Sequence, residues 1–387
     1  MRSYTQASLY IHIPFCDSFC DYCDFYSVIK ETYSDDYTDV YLFSLIKDIK
    51  SQIEYFGIKE IPSVYIGGGT PSVLGKKIHI LLDELKNITD CTLIEFTIEA
   101  NPESINEEFL GICRDGGVNR ISLGVQTFHE PSLIAVNRGI YRKDFPKIRK
   151  SIKKEEKIAL AAEYFPNSLS VDLITGLPFQ DDEVIQNDIK KVMEYNPAHV
   201  SLYSLSVESG TILEDNVRNK IINMPKADFA DHLWLYGKEI LEKEGFEHYE
   251  ISNFAVKGKQ CLHNRRYWKM QNWIAAGPAA SGTMINDDTG TAERYTYSQD
   301  IDNYIKEPCI QKAVCEEIDK MSLIKESLLM GFRCKGGPNP ELFKQRFGSS
   351  VEDYIPKTLK KWEGNEKMLF LNQFLKEAFE ELGTRQG

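Results

Sequence analysis

Up to about residue 205 the chain alternates two kinds of hydrophobic pattern. Short apolar runs of period two predict strands at 8–13, 63–66, 93–100, 120–125, 169–174 and 199–204. Between them, apolar residues recur every three or four positions, predicting helices such as 37–56, 76–86, 107–114, 143–157 and 182–194. Strands separated by helices make βαβ units and a parallel sheet. Six such units suit either a doubly wound sheet or a partial barrel.

The position of the unusual residues decides between these. Each predicted strand is followed by them: Cys16, Cys20 and Cys23 after the first, Gly67-Gly68-Gly69-Thr70-Pro71 after the second, Glu99-Ala100-Asn101-Pro102 at the third. The fourth ends in Gly124-Val125-Gln126, the fifth carries Asp172 and then Gly176-Leu177-Pro178, and the sixth ends in Tyr203-Ser204. Sites of parallel α/β folds form at the carboxyl ends of strands, and in a barrel all strands share one mouth. The expectation is therefore an α/β protein built on an open, partial (β/α)6 barrel.

After Ser206 the regular alternation stops. Residues 226–244 read as one amphipathic helix, followed by the words His248-Tyr249-Glu250 and His263-Asn264-Arg265-Arg266-Tyr267-Trp268 and a small-residue loop, Gly277-Pro278-Ala279-Ala280-Ser281. From about residue 295 the pattern suggests a separate, mostly helical and winged-helix-like module. It has helices at 318–330, 341–347 and 351–362 and a short strand at 368–371. The expected domains are 1–225, 226–294 and 295–387.

Composition narrows the function classes. The 387 residues are 42% hydrophobic and 27% charged, with a net charge of −12. A groove tracking nucleic-acid phosphates needs a basic stripe, and the chain has none. No apolar run is long enough to span a bilayer, and the first residues lack the apolar core of a secretory signal. A cytosolic protein is expected, with contact at a membrane surface left open. In that compartment nine cysteines mean thiols and metal ligands. Those outside the first motif, at 91, 113, 261, 309, 315 and 334, lack ligand spacing and read mostly as small buried apolar residues.

The chemistry concentrates in Cys16-x3-Cys20-x2-Cys23. Thiolates are soft ligands that suit zinc or an iron–sulfur cluster. Structural zinc takes four ligands, often as two pairs; His12 could complete such a set, but it stands in the first strand. A [4Fe–4S] cluster takes one cysteine per iron, so three leave one iron open to a small molecule. Glu99 and Asp172 are carboxylates in apolar strands and must be paired or ligand-bound. Gln126 offers donor and acceptor together, and Arg138 suits a carboxylate partner. Residues 67–70 lack the Lys-Ser/Thr of a phosphate loop.

The cysteine motif, the aromatic Tyr22 before its third cysteine, and the flanking Tyr10-Ile11-His12-Ile13-Pro14-Phe15 and Asp24-Phe25 together resemble the radical S-adenosylmethionine superfamily. Within it they resemble the group holding the oxygen-independent coproporphyrinogen oxidase and the heme chaperone. The resemblance implies a [4Fe–4S] cluster on Cys16, Cys20 and Cys23, with adenosylmethionine on the open iron. It further implies that Gly67, Gly68, Gly69 and Thr70 receive the cofactor's amino group and that Tyr10 lies on the adenine side. Glu99, Gln126, Arg138 and Asp172 would hold ribose and methionine groups, and Ser206 matches a further pocket position. In the chaperone's relatives the word from His263 to Trp268 is associated with heme, which makes His263 a candidate ligand. From chemistry alone, a lone histidine among aromatics is usually a hydrogen-bonded structural residue, and only the family word sets the ligand reading level with it.

Two functions follow from the resemblance. One is a heme carrier delivering to apoproteins such as respiratory cytochromes; the other is oxidative decarboxylation of coproporphyrinogen III. The oxidase motif continues past the third cysteine to a fourth, where Phe25 stands here, and it has a longer segment before Tyr10 than these nine residues. With the His263 word present, the carrier is favoured. The family's usual Leu-Thr-x-x-Gly ending is replaced by Phe370-Leu371-Asn372-Gln373-Phe374, so a differently packed tail is expected.

Overall fold

The computed structural model describes residues 4–89, 92–138, 153–364 and 367–383. The first six regular strands are β1 (Ser8–Ile13), β4 (Ser63–Gly68), β5 (Glu95–Ala100), β6 (Arg120–Gln126), β7 (Leu169–Thr175) and β8 (His199–Ser204). They lie side by side in chain order and all run parallel. A two-residue pair, β2 (Phe15–Cys16) and β3 (Val28–Ile29), stands apart from this sheet.

The connecting helices are α1 (Asp35–Phe56), α2 (Ile78–Ile88), α3 (Glu107–Asp115), α4 (Glu130–Ala135), α5 (Lys154–Tyr164) and α6 (Asp182–Met193). Local chemistry sets their ends. Ser34, Asn106 and Asp181 cap α1, α3 and α6 by accepting backbone N–H bonds, and Gly57 closes α1 in the left-handed conformation. The helix expected at 143–157 overlaps α5 at its end; 143–152 lie outside the described residues, as does Cys91.

Along each strand the outward residues are apolar and pack on the helices: Leu9, Ile11, Val64, Ile66, Phe96, Ile98, Ile121, Val171 and Val200 are all buried in one core. The inward residues are polar: Ser8, Ser63, Thr97, Ser122, Ser170 and Ser201. Such period-two sorting leaves a polar interior that only a curled sheet can share.

The sheet extends beyond these six strands. β9 (Glu247–Glu250) and β10 (Asn253–Ala255) add antiparallel strands beside β8. At the other edge β11 (Trp273–Ala276) pairs parallel with β1, followed by the antiparallel meander β12 (Ser281–Asn286), β13 (Thr291–Thr296) and β14 (Val314–Ile318). Among the described residues the sheet therefore has twelve strands and open ends. β11 was missed because four consecutive buried apolar residues carry no alternation.

α8 (Ala227–Lys243) and α10 (Ile301–Lys306) complete the first core, α7 (Ile212–Arg218) packs through Leu213 into a small separate cluster with Val136, Ile174 and Leu177, and α9 (Leu262–Trp268) follows β10 in the chain. A second core follows, built from α11 (Lys320–Gly331), α12 (Pro340–Phe347), α13 (Val351–Tyr354), α14 (Pro356–Lys361) and α15 (Leu371–Gly383). The helix expected over 351–362 is two, broken before Pro356, whose ring disfavours helical geometry in the preceding Ile355 (ψ 50°). The strand expected at 368–371 is not formed. Residues 367–370 form a turn, and Leu371 opens α15, whose Phe374, Leu375 and Ala378 fill the second core. Residue 295, expected to open the helical module, lies inside β13, and the Tyr295 side chain is buried in the first core.

Candidate functional site

The cysteine loop leaves β1 and returns through β3. β2 and β3 hold it closed, with Val28 N donating to the Pro14 carbonyl. Asp21 anchors its far side: its N–H donates to Val136 O, its carbonyl accepts from Leu213 N, and its carboxylate accepts from Asn216. Cys16 and Cys20 are buried and Cys23 is half-buried. Burial pushes the Cys16 thiol up, and Cys23 up to about 11.

The glycine word after β4 runs against this loop. Gly69 N donates to Ile13 O and Thr70 N to Phe15 O, each at 2.8 Å. A β-carbon on Gly69 would stand 2.9 Å from the Cys16 sulfur, so glycine here permits the close approach. Gly68 (φ 110°) packs on the His12 ring, where a β-carbon would come within 2.7 Å. Thr70 Oγ1 lies 3.5 Å from the Cys16 sulfur and accepts from Asn101 at 3.0 Å.

Arg138 reaches the same place from far along the chain. It donates to the Cys20 sulfur at 3.2 Å, to Asn101 at 2.7 Å and to the Gly124 carbonyl at 3.0 Å. The carboxylate partner expected from sequence is thus replaced by a thiol and two neutral oxygens. Asn101 bridges Thr70 and Arg138; its place at the end of β5 marked it, but nothing in the sequence indicated its partners.

Deeper in the mouth, Glu99 accepts from Tyr65 at 2.7 Å and from Gly68 N at 3.3 Å. Burial, reinforced by Asp172, pushes its carboxyl up to about 7. Asp172 accepts from Ser122 and is likewise raised by burial. Neither forms an ion pair with lysine or arginine among the described residues. Gln126 follows a bulge in the β6–β7 pairing and has φ 66°, which re-aims its side chain; its Oε1 is buried without a hydrogen-bond partner. Tyr10 stacks on Tyr65 and meets His12 Nδ1 at 3.1 Å. Ser206 lies exposed beyond β8.

Three thiols, two buried carboxylates that form no ion pair among the described residues, and an amide oxygen without a hydrogen-bond partner among them therefore share one end of the barrel. Such a set suits a soft metal cluster beside a cationic organic ligand. Among the described residues no three His, Cys, Asp or Glu side chains are gathered as a single-ion site.

His263, the expected heme ligand, lies at the other end of the barrel from the cysteines. α9 closes the opposite end of the barrel. Glu95, the first residue of β5, accepts from Leu262 N at 2.7 Å, His263 N at 2.9 Å and the Cys261 sulfur at 3.3 Å. His263 Nδ1 bonds Ser63 and Nε2 bonds Tyr267, and the side chain is 1% exposed. Burial, helped by Arg266 and Arg120, lowers its pKa to about 3. With both nitrogens engaged, His263 is a neutral floor residue. Glu95 and Arg120 are floor residues that the sequence reading missed. The available signal was Glu95 itself, four positions before Glu99 and so on the same strand face.

Comparison with known proteins agrees with this layout. The Radical SAM superfamily model matches residues 10–192. A heme chaperone HemW from Lactococcus lactis is 34% identical over 89% of this chain and 86% of its own length. The chain belongs to the HemW family. A HemW from Bacillus subtilis is 29% identical over 91% of this chain and 90% of its own. Among solved structures, the coproporphyrinogen III oxidase HemN of Escherichia coli superposes with a TM-score of 0.76 at 21% identity, covering 97% of this chain and 90% of that one. This shared fold is the radical SAM barrel with a helical C-terminal region.

Proposed function

We propose that this HemW-family chain is a heme carrier. It would hold a [4Fe–4S] cluster on Cys16, Cys20 and Cys23, bind S-adenosylmethionine beside it, and deliver heme to apoproteins such as respiratory cytochromes. The observation that carries the reading is the convergence of the three cysteines, Arg138 and the glycine word at one barrel mouth, in a chain whose relatives are named heme chaperones.

When bound, such a cluster with an open iron supplies an electron and a seat for the adenosylmethionine amino and carboxyl groups. The chain's own residues do the rest. Arg138 places positive charge against the Cys20 sulfur. The loop from Gly67 to Thr70 brings backbone close to the cysteines. Glu99 and Asp172 present negative charge to a cationic ligand, and Gln126 offers an unmet acceptor. Tyr10 and Tyr65 give an aromatic wall for a purine.

Anaerobic reconstitution tests this. Iron and sulfide analysis should return one cluster, its magnetic resonance spectrum should change on adding adenosylmethionine, and hemin should bind saturably. Incubation with coproporphyrinogen III should yield no vinyl product. Zinc at the cysteines, or product formed with turnover, would overturn the reading.

A further inference from the structure

Gln126 stands in a conformation that its neighbours must enforce. Its φ is 66°, and Thr127 N donates to Val125 O at 2.9 Å, closing a three-residue turn about it. Such turns with a positive φ at the centre are rare and strained. Glycine would take the bend freely. Glutamine costs strain and brings an amide, whose Oε1 is buried with no hydrogen-bond partner among the described residues. That amide lies over Gly124: a β-carbon there would stand 3.0 Å from Gln126 Nε2, 2.8 Å from Asn101 Oδ1 and 3.2 Å from an Arg138 nitrogen. An unused acceptor and a strained backbone therefore coincide beside Asn101 and Arg138.

Resting on the reading that S-adenosylmethionine binds at this mouth, we propose that Lys154 is a positioning residue for it, holding the bend at Gln126 so that the free Oε1 meets a donor of the cofactor. Lys154 is the first residue of α5 and belongs to none of the strand ends that carry the site. Its Nζ donates to Val125 O at 2.8 Å and to Thr127 O at 2.9 Å, the carbonyls of the residues on either side of Gln126. Along an extended strand, residues two apart are separated by about 6.6 Å. That is farther than two bonds of 2.8 and 2.9 Å meeting at one nitrogen can reach. Residue 126 therefore cannot relax to extended backbone without breaking one of them. Burial lowers the Lys154 pKa to about 8, so at pH 7 the group is an ammonium with donors enough for both carbonyls.

α6 fixes the residues that follow. Thr127 Oγ1 and Phe128 N both donate to the Asp188 carboxylate, and His129 N donates to Thr127 Oγ1 at 3.0 Å. The chain beyond Gln126 is thus held independently of Lys154, which leaves the bend itself to the lysine. Among the described residues Lys154 forms no ion pair, and its Nζ bonds are to those two carbonyls. The unmet Oε1 takes one N–H or O–H, which adenosylmethionine offers in its ammonium and its ribose hydroxyls. Lys154 does not touch the ligand. It keeps the acceptor in place before the ligand arrives, so that less binding energy is spent on ordering it.

The test is a double-substitution cycle on the full chain, reconstituted anaerobically and read by equilibrium dialysis of S-adenosylmethionine. Lys154→Met should keep the wild-type iron content and bind adenosylmethionine about three- to tenfold more weakly, the share of one neutral hydrogen bond. Gln126→Ala should lose about as much. The double substitution should lose no more than Gln126→Ala alone, because Lys154 acts through that acceptor. Amide hydrogen exchange without adenosylmethionine supplies a second reading: the peptide spanning 124–129 should exchange faster in Lys154→Met, with α5 little changed. A lysine that only anchors α5 would instead loosen the helix, and its loss of affinity would add to that of Gln126→Ala. Lys154→Gln enters the same cycle should Lys154→Met fail to fold. If the substitution leaves affinity or the exchange of 124–129 unchanged, or the two losses add, the positioning role is wrong and the cofactor reading stands. A reconstituted wild type that takes up no adenosylmethionine overturns both.

Discussion

Glu99 gives the sharpest test of the barrel mouth. Its carboxyl sits beside Tyr65 and Gly68 N, yet burial and the nearby Asp172 outweigh both hydrogen bonds and raise it from 4.5 to about 7. A raised carboxyl binds its proton more tightly in the folded chain. Its contribution to stability is thus full below about pH 4.5 and is lost as pH rises through about 7. At about 1.36 kcal/mol per unit, the swing is about 3 kcal/mol. Glu99→Gln cannot titrate. It keeps the bond from Tyr65 but sets an amide N–H₂ or a rotated oxygen against Gly68 N, an offset of about 1 kcal/mol that does not vary with pH. Denaturant unfolding of both proteins, without adenosylmethionine, should therefore be compared at pH 5 and pH 8. The variant should be the less stable at pH 5 and the more stable at pH 8. Parallel pH dependence in the two would refute the assignment of this proton to Glu99. The same charge bears on ligand binding: adenosylmethionine, a cation, should bind the wild type more tightly at pH 8 than at pH 6, by equilibrium dialysis.

Other outcomes follow from the same geometry. Cys20→Ala should abolish the cluster's visible absorption and iron content after anaerobic reconstitution, with little change in far-ultraviolet circular dichroism. Gly69→Ala puts a methyl 2.8 Å from Phe15 O and 2.9 Å from the Cys16 sulfur; iron uptake should fall markedly while the rest of the barrel stays folded. Glu95→Gln weakens the three bonds that seat α9. Hydrogen bonds to a charged group contribute about 1.5–3 kcal/mol, a loss that a denaturant midpoint would register.

Much of the barrel was legible in the sequence. Strand and helix each sort side chains by their own period, so the six parallel strands and their order followed from local patterns. The mouth was legible too, because glycine, cysteine and carboxylate at the ends of apolar strands are anomalous locally. Pairings across long sequence distance were not. Arg138 meets Cys20 across 118 positions, and Glu95 seats His263 across 168. Neither residue differs locally from one that finds another partner. His263 shows this most clearly: the word around it was visible, but which end of the barrel it faced depended on α9 docking beneath β1, β4 and β5. The β11 edge strand and the strand wrongly expected at 368–371 have the same cause. A short apolar run carries no period, so the surface available to bury it decides whether it becomes strand, turn or helix.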